Sequence, residues 1–391
     1  MRPPGNIVLK PKKERKVHNF YPWIQRGEVV RVEGDVEDGD LANLVTEQGD
    51  FLAVGTYNGQ SRFRFRVLSL EDEPINEPFF EQRFREAIAL REKLVTGTNA
   101  KRIVYSEADK LPGLIIDDYD GHLVVQVRSK GMEKLKETWL PALCKAAAPK
   151  SVYEKSEMAS RKEEGLGPTS GVLVEVARDE VEIEEDGLKL TALIKDGLKT
   201  GFYLDQRNTR RLLAQRIKKG DRVLDGFCYT GAFSLHAARA GATTVGVDLH
   251  TQALTTARKN AKANNIEAEF IEANLFEWLE TNEEEKFDWI VLDPPAISKT
   301  SKTRDSLKWA VWKLVHNAIP HLNPGGRIIA CACSYQLVQK ELVEVCRLAA
   351  SDRHVRLFLE DMTYQDLDHP APIQFPEALY LKCAWLRLGQ P

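Results

Sequence analysis

Short apolar runs separated by turn signals dominate the chain up to about residue 70. Gly34, Asp38-Gly39, Gly49 and Asn58-Gly59 punctuate these runs roughly every ten residues, which predicts a series of short strands. The predicted strands are Glu28–Val32, Leu41–Thr46, Phe51–Tyr57 and Phe63–Leu70. Many short strands with frequent turns are typical of a small β-barrel.

A different pattern follows the acidic, proline-bearing segment Glu71–Pro78. Phe80, Phe84 and Ile88 are spaced by four residues, which predicts a helix with one apolar face. Up to about Leu198 the pattern indicates an α+β region with one helix through Met132–Cys144 and a loop at Ser156–Pro168. Its predicted strands are Arg102–Tyr105, Leu114–Asp118, Leu123–Val127, Ser151–Glu154 and Glu180–Ile194, the last broken by a turn at Asp186-Gly187.

From Asn208 onward, predicted helices and strands alternate, which is typical of a parallel sheet covered on both faces. One helix is predicted at Thr251–Asn264 with Thr251 as its N-cap. The last strand follows a long loop and is predicted to be an antiparallel edge strand. The predicted strands are Val223–Asp225, Thr244–Asp248, Ala268–Glu272, Phe287–Leu292, Gly326–Ala332, Val355–Asp361 and Ala378–Leu386.

The fold class is therefore α/β, with a Rossmann-like, seven-stranded, mostly parallel sheet after a barrel and an α+β region. The predicted domains are 1–73, 74–198 and 199–391. The 391 residues are 43% hydrophobic and 29% charged, as in a soluble globular protein. We expect a cytoplasmic chain without a membrane span or secretory signal, because no apolar run has the required length. The six cysteines do not suggest a disulfide framework.

Charge is concentrated at the beginning of the chain. Residues 1–31 hold eight Lys and Arg residues against two Glu, and Lys12 and Lys13 are adjacent. A basic surface of this kind can track nucleic-acid phosphates. The alternative is a set of solvated lysines with no ligand.

The segment Val223–Phe233 reads as a buried strand, a glycine turn and a helix, and a second strand ends at Asp248. Gly226 and Gly231 allow a tight turn and a close backbone approach to a ligand. An acid at the end of the second strand is where nucleotide-binding folds hold ribose hydroxyls. The spacing matches neither the three-glycine dinucleotide pattern nor a P-loop. S-adenosylmethionine therefore fits better than NAD, unless the turn is purely structural.

Asp293-Pro294-Pro295 directly follows an apolar strand. Two prolines remove two amide donors and cannot continue a central strand, so they present Asp293 at the carboxyl end of the sheet. Amine-methylating enzymes place an aromatic residue after such prolines, whereas this chain has Ala296, which disfavours exocyclic-amine methylation. A plain proline turn is the other interpretation.

Cys331 and Cys333 end the next strand and share a face. No partner pair with zinc-site spacing exists, so no metal is expected. Cys331 is interpreted as a small buried hydrophobe. Cys333 is the last residue of its strand, near Asp293, where an exposed thiolate can act as a nucleophile.

With these motifs the chain resembles, over almost its whole length, the RlmI-type family of bacterial 23S rRNA cytosine-5 methyltransferases. Tyr21–Ile24 and Phe63–Val67 resemble its RNA-binding PUA domain, and Leu111–Asp117 resembles the opening of its central domain. Lys199–Arg207 resembles the segment that lines the cofactor. Asp368-His369-Pro370 and Pro376–Lys382 resemble its C-terminal signature.

The resemblance implies a class I methyltransferase domain, S-adenosylmethionine as cofactor and large-subunit ribosomal RNA as partner, and it leaves a homodimer open. It implies Cys333 as nucleophile with Asp293 beside the base. Where the family usually has an acid for the adenine amine, this chain has Asn274, whose carbonyl can accept the same hydrogen bond. The implied cofactor residues are Asp225, Phe227, Tyr229, Thr230, Gly231, Asp248, Asn274, Gln206 and Asp293. The residues predicted to bind the substrate are Pro294, Pro295 and Arg207, together with Lys12 and Lys13 of the basic segment.

Cytosine-5 chemistry requires the Cys333 thiolate to add to carbon 6 of a base turned out of its stack. An unperturbed thiol is only a few per cent ionised at neutral pH, so a nearby cation is expected. Arg207 is the candidate for that cation or for a phosphate contact, and a surface helix arginine is the alternative. Two other functions remain open: methylation of guanine N2 or N7, and a non-catalytic RNA-binding role in ribosome assembly.

Overall fold

The computed structural model describes residues 3–295 and 303–389. The chain divides into two compact units. The first unit comprises Met1–Ile183, Ala192–Phe202 and Leu367–Ala378. The second comprises Glu184–Thr191, Tyr203–Asp366 and Leu379–Pro391. Each unit is therefore built from three segments that are not consecutive in the chain.

The first unit begins with a six-stranded sheet in the order β2-β6-β5-β4-β1-β3. Only β1 and β4 pair in parallel. The four predicted strands are present, and two short ones, β1 and β2, were not predicted because neither has a long apolar pattern. The elements are β1 (Gly5–Leu9), α1 (Glu14–His18), β2 (Trp23–Gln25), β3 (Val29–Gly34), β4 (Leu41–Val45), β5 (Phe51–Tyr57) and β6 (Phe63–Ser69).

A long helix and a five-stranded sheet complete the first unit. The helix α2 (Glu77–Leu94) buries Phe80 and Phe84, which confirms the predicted apolar face. The sheet order is β11-β10-β9-β8-β7. The single helix predicted at Met132–Cys144 is in fact two. The elements are β7 (Ala100–Tyr105), β8 (Leu114–Tyr119), β9 (His122–Val127), α3 (Lys130–Lys134), α4 (Lys136–Ala147), β10 (Ser151–Ser156) and β11 (Thr169–Val174).

The segment predicted as the loop Ser156–Pro168 contains a 3-10 helix at Ala159–Glu164. Buried Glu164 accepts hydrogen bonds from Ser61 Oγ at 2.6 Å and from Arg66 Nη2 at 2.8 Å. Further along, β12 (Glu180–Glu185) and β13 (Leu188–Leu193) form a two-stranded sheet. The turn predicted at Asp186-Gly187 is confirmed, since both residues have positive φ angles.

The second unit holds the predicted seven-stranded sheet, in the order β16-β15-β14-β17-β18-β20-β19. Only β20 runs against its neighbours. The strands are β14 (Arg222–Gly226), β15 (Thr243–Asp248), β16 (Glu269–Glu272), β17 (Phe287–Leu292), β18 (Leu322–Cys333), β19 (Leu357–Tyr364) and β20 (Leu381–Leu388). The helices are α5 (Arg207–Arg216), α6 (Ala232–Arg239), α7 (Thr251–Ala263), α8 (Leu275–Thr281), α9 (Thr303–Ala318) and α10 (Gln339–Asp352).

Two predictions about the second unit are wrong, one on a strand and one on a helix. The last strand is antiparallel, but it lies between β18 and β19 rather than at the edge. The N-cap of α7 is His250, whose Nδ1 accepts a hydrogen bond from the Ala253 amide at 3.2 Å. Thr251 is instead the first residue of the helix.

Both faces of the central strand β17 are buried, as the apolar pattern predicted. Along β17, Ile290 and Leu292 belong to one core cluster, which includes side chains of α8, α9 and α10. Trp289 and Val291 belong to a second cluster, which includes side chains of α5 and α6. Within residues 3–295 and 303–389, no helix is both long and apolar enough to cross a membrane.

Candidate active site

The parallel register brings four chemically distinctive segments to one edge of the seven-stranded sheet. Gly226 pairs with Val247 on one side and with Leu292 on the other. Leu292 in turn pairs with Ala330 of β18. Because the carboxyl ends of parallel strands meet at one edge, Asp248, the glycine loop, Asp293 and Cys333 follow one another there in that order.

The glycine loop after β14 is tightly wound. Gly231 has φ +79°, a left-handed conformation that confirms the predicted turn. Gly226 is needed for a different reason, since a Cβ there would lie 2.5 Å from Leu275 Cδ2 and 2.9 Å from the Val291 carbonyl oxygen. Phe227 and Tyr229 also have positive φ angles. Non-glycine residues in this conformation are strained, and such strain concentrates at functional loops.

Asp248 ties this loop to the end of β15. Its Oδ2 accepts a hydrogen bond from the Tyr229 amide at 2.8 Å, and its Oδ1 accepts one from the His250 amide at 2.8 Å. The half-buried carboxylate has further lone pairs, because each of its oxygens can accept more than one hydrogen bond. Asp248 therefore both holds the loop and retains acceptor capacity for hydroxyl groups.

Asp225 lies beneath the loop and is buried. Its Oδ2 accepts hydrogen bonds from the Ser234 amide at 2.8 Å and from the Ser234 hydroxyl at 2.7 Å. Burial, together with the negative charges of Asp293 and Asp248, raises the pKa of Asp225 to about 7. Three carboxyl groups therefore converge on this edge of the sheet, which suits a ligand that carries positive charge.

Two buried polar atoms in the same region lack hydrogen-bond partners within the described residues: the Thr230 hydroxyl and Gln206 Nε2. Thr230 and Gln206 are each about 1% exposed. Buried polar groups are normally satisfied, so such orphans suggest a missing ligand. A nucleoside cofactor with several polar groups fits this set of residues.

Asn274 lies just after β16, as the sequence predicted, and it also begins a helix. It is the N-cap of α8, and its Oδ1 accepts a hydrogen bond from the Phe276 amide at 3.1 Å. Its Nδ2 donates to Glu277 Oε1 at 3.1 Å. The carbonyl expected to accept from an adenine amine is therefore shared with the helix, which the side-chain chemistry alone could not indicate.

The ends of β17 and β18 bring a carboxylate and a thiol together. The half-buried Cys333 Sγ lies 3.6 Å from Asp293 Oδ1. Cys331 is buried in the apolar core, as predicted. Pro294 is buried and Pro295 is exposed, whereas Ala296 lies outside the described residues. No three His, Cys, Asp or Glu side chains in the described part of the chain come together as a metal site requires.

Tyr203 is a site residue that was not singled out from the sequence. Burial raises its pKa well above the usual value, and the charges of Asp293 and Cys333 act in the same direction. Its ring also meets that of Tyr229 edge-on, with centroids 5.3 Å apart. The available signal was its position in Lys199–Arg207, the segment that resembles the cofactor-lining part of the family.

Arg207 is neither a surface residue nor available to a phosphate. Its guanidinium is fully buried, with Nη1 2.5 Å from Asp366 Oδ2 and Nε 3.4 Å from Glu185 Oε2. The interpretation of Arg207 as a surface arginine is therefore wrong, and its ion pairs with Asp366 and Glu185 use the charge that a phosphate or the Cys333 thiolate would need. Its charge is balanced inside the second unit, because a buried cation requires paired anions.

Lys12 and Lys13 lie in the first unit, just before α1, and both are exposed. Lys13 Nζ lies 3.7 Å from Glu28 Oε1, and Lys16 Nζ lies 2.8 Å from Glu28 Oε2. Glu28 therefore neutralises part of the basic segment, while the side chains of Lys12 and Arg15 extend into solvent.

Comparisons with known proteins agree with this architecture. The family model described as a PUA-like domain matches residues 7–70. The model described as a methyltransferase small domain matches residues 204–357. A solved chain assigned as a methyltransferase, in complex with SAH, aligns with a TM-score of 0.85 at 21% identity and covers 98% of this chain and 99% of that one. The fold and site thus define a methyltransferase that carries a PUA-like domain.

Two curated relatives are both named ribosomal RNA large subunit methyltransferase I. The protein of Shewanella frigidimarina is 38% identical, with 96% of this chain and 97% of the relative covered. The protein of Photobacterium profundum is 36% identical, with 96% and 98% covered. The chain belongs to the ribosomal RNA large subunit methyltransferase I family, which confirms the family prediction.

Proposed function

We propose that this protein transfers a methyl group from S-adenosylmethionine to carbon 5 of a cytosine in large-subunit ribosomal RNA. The observation that carries the proposal is the half-buried Cys333 thiol 3.6 Å from Asp293 Oδ1, at the sheet edge that also holds the glycine loop. The names of the family's members support ribosomal RNA as substrate. SAH bound to the similar fold supports the cofactor.

The residues proposed to hold the cofactor are those that surround the glycine loop. Asp248 accepts hydrogen bonds from the ribose hydroxyls, while Thr230 and Gln206 use the buried atoms that lack partners. The backbone of Phe227, Tyr229 and Gly231 shapes the cavity, and Asn274 and Asp225 lie at its borders. When bound, S-adenosylmethionine supplies an electrophilic methyl group next to a positive sulfur, which the carboxyl groups of this edge favour.

The residues at the other side of the edge act on the cytosine. The Cys333 thiolate forms a bond to carbon 6, and the electron pair of the 5,6 double bond makes carbon 5 nucleophilic. Asp293 shares a proton with ring nitrogen 3 as that nitrogen becomes basic. After carbon 5 has gained its methyl group, a base removes the carbon-5 proton, the bond to sulfur breaks and the thiolate leaves. Pro294 and Pro295 keep the chain beside Asp293 free of competing amide donors.

The RNA is proposed to bind the first unit along the basic segment that contains Lys12 and Lys13. Phe20 follows α1 with a φ of +63° and is 66% exposed. It lines a surface pocket with Lys16, His18 and Tyr21. A left-handed, exposed Phe gains neither backbone nor burial energy, whereas it offers a stacking surface to an unpaired base. Domains 1–73, 74–198 and 199–391, a homodimer and a cytoplasmic location remain predictions.

Phe20→Gly should separate binding from stability. Glycine relieves the left-handed strain, so we expect unchanged or slightly higher stability. The affinity for ribosomal RNA fragments should fall about fivefold or more, since one stacked base contributes about 1–3 kcal/mol. Filter binding at fixed salt and thermal unfolding provide the two readouts, and Phe358→Ala, which removes an exposed ring from β19, is the control. Equal affinity of Phe20→Gly and the wild type would remove Phe20 from the RNA surface.

The identity of the methylated base distinguishes cytosine-5 methylation from guanine methylation. Ribosomal RNA from cells with and without this protein is digested and its nucleosides are mapped by mass. Loss of one 5-methylcytosine without the protein supports the proposal, whereas loss of a methylated guanine replaces it with guanine methylation. Titration with S-adenosylmethionine tests the third function, because a chain without affinity for the cofactor is a binding protein only.

A further inference from the structure

The proposed reaction requires a cation that favours the Cys333 thiolate, and Arg207 cannot supply it because its charge is balanced by Asp366 and Glu185. The thiol already faces Asp293 at 3.6 Å. An ionised Asp293 disfavours a second negative charge at that distance. A thiolate at Cys333 therefore needs a compensating positive group from another element.

Lys382 is that group. It lies in β20, the strand next to β18, and is only 4% exposed. Its Nζ donates to the Ser334 carbonyl at 2.7 Å and to the Tyr380 carbonyl at 3.1 Å. It forms no salt bridge with a carboxylate of the described residues. Burial of an ammonium group without a carboxylate partner is costly, which points to a functional reason.

The position of its amine follows from the register. Lys382 pairs with Ala332 and not with Cys333, so its side chain leaves the sheet on the face opposite to the thiol. Nevertheless, β18 ends at Cys333, and the Lys382 amine reaches the carbonyl of the next residue, Ser334. The ammonium group is therefore held at the strand end, one residue beyond Cys333.

The electrostatics support the same arrangement. Burial lowers the pKa of Lys382 to about 8, and the charge of Cys333 acts in the opposite direction. Because an electrostatic interaction is mutual, a charged Lys382 favours the thiolate of Cys333 to the same degree. The titratable groups that interact with Cys333 include the acids Asp293, Tyr203 and Cys331 and the cation Lys382.

We infer that Lys382 is a positioning residue for Cys333, which fixes the Ser334 carbonyl at the end of β18 and balances the charge of the thiolate. The inference rests on the proposed function, in which Cys333 is the nucleophile. Its experimental readout does not need catalysis, since the reactivity of the thiol can be measured directly.

Alkylation of Cys333 by iodoacetamide reports the thiolate fraction as a function of pH. Mass spectrometry of the Cys333 peptide distinguishes this thiol from the other five. In Lys382→Gln and Lys382→Met we expect the pH midpoint of Cys333 alkylation to rise by about one pH unit or more. In Lys382→Arg, which keeps the charge, the midpoint should stay close to that of the wild type. An unchanged midpoint in the Gln and Met variants would overturn the inference.

Lys155 provides a matched control in the first unit. It too is buried, its Nζ donates to the carbonyls of Ile194 at 2.7 Å and Gly197 at 2.6 Å, and burial lowers its pKa to about 8. Lys155→Met removes the same kind of buried ammonium group, and we expect the Cys333 midpoint to remain as in the wild type. A shift of equal size in this control would indicate a general loss of structure.

A reciprocal measurement leaves Lys382 in place, so it remains valid if the Lys382 variants do not fold. In Cys333→Ser the pKa of Lys382 should fall, because the negative partner has been removed. Competitive acetylation of Lys382 followed by mass spectrometry measures this pKa, and an unchanged value contradicts the inference. If Cys333→Ala retains methylation while the Lys382 variants still shift the alkylation midpoint, the covalent mechanism fails and the charge coupling stands.

Discussion

The ends of β14 and β15 and the ends of β17 and β18 form two halves of the same sheet edge, and they are held in different ways. In the first half, both Asp248 oxygens accept backbone amides, and Asp225 accepts two hydrogen bonds from Ser234. In the second half, the Cys333 thiol has a long 3.6 Å contact with Asp293, and the two prolines after Asp293 offer no amide donor.

The two halves therefore differ in role: the first holds the shape of the glycine loop, and the second holds the reactive thiol. Short hydrogen bonds to backbone amides fix the loop before any ligand arrives, which lowers the ordering cost of binding. The contact between Cys333 and Asp293 instead places a potential nucleophile next to a carboxylate. Each half can therefore be disabled without the other, and the following variants test that independence.

Cys333→Ala should have the largest effect. Removal of the nucleophile should lower methylation of ribosomal RNA by about a thousandfold or more, while the affinity for S-adenosylmethionine stays nearly constant. Transfer of labelled methyl groups and calorimetric titration measure the two quantities. Cys331→Ala, two residues earlier in the same strand, should retain activity. Substantial activity in Cys333→Ala would contradict the proposed difference between the two halves, because Cys333 would then have no covalent role.

Asp248→Ala should affect the first half alone. We expect cofactor affinity to fall about tenfold to a hundredfold, because hydrogen bonds to a charged group contribute about 1.5–3 kcal/mol. Asp248→Asn keeps one acceptor oxygen and should lose less. The alkylation rate of Cys333 serves as the measure of the second half and should not change. If titration shows unaltered cofactor affinity in Asp248→Ala, the proposed role of Asp248 is wrong.

The smallest effect concerns the pH dependence of stability at Asp225. Because its pKa is raised to about 7 in the folded protein, the folded state holds this proton more tightly than the unfolded chain does. The resulting stabilisation is complete below about pH 4, the ordinary range for Asp, and is lost as pH rises through 7. The stability of the wild type relative to Asp225→Asn should therefore decrease from pH 5 to pH 8 in urea unfolding. A constant difference would show that Asp225 is charged throughout.

The strands of the second unit could be predicted because their apolar runs are buried on both faces, as Ile290 and Trp289 of β17 illustrate. Their order could not be predicted fully, since β20 carries the same pattern whether it lies at the edge or inside the sheet. The edge position of Asp248, Asp293 and Cys333 followed from strand ends alone.

The partners of buried side chains could not be predicted from the sequence. The charge of Arg207 suggested a ligand, but its partners Glu185 and Asp366 are 22 residues before it and 159 residues after it in the chain, and only the fold reveals them. Lys382 lies in the segment Pro376–Lys382 that resembles the family, and the resemblance implies no role for it. A single lysine in an otherwise apolar stretch of β20 was a signal, because lysine is almost never buried without cause.

The central place of β20 also affects how the protein is made. Leu381–Leu388 follow the other six strands of the sheet in the chain, yet they separate β18 from β19. During synthesis, the earlier strands must therefore wait with two unpaired edges until these residues leave the ribosome. Unpaired strand edges are prone to wrong pairing. The chain that is proposed to modify ribosomal RNA thus completes its own active-site sheet only once Leu381–Leu388 have been translated.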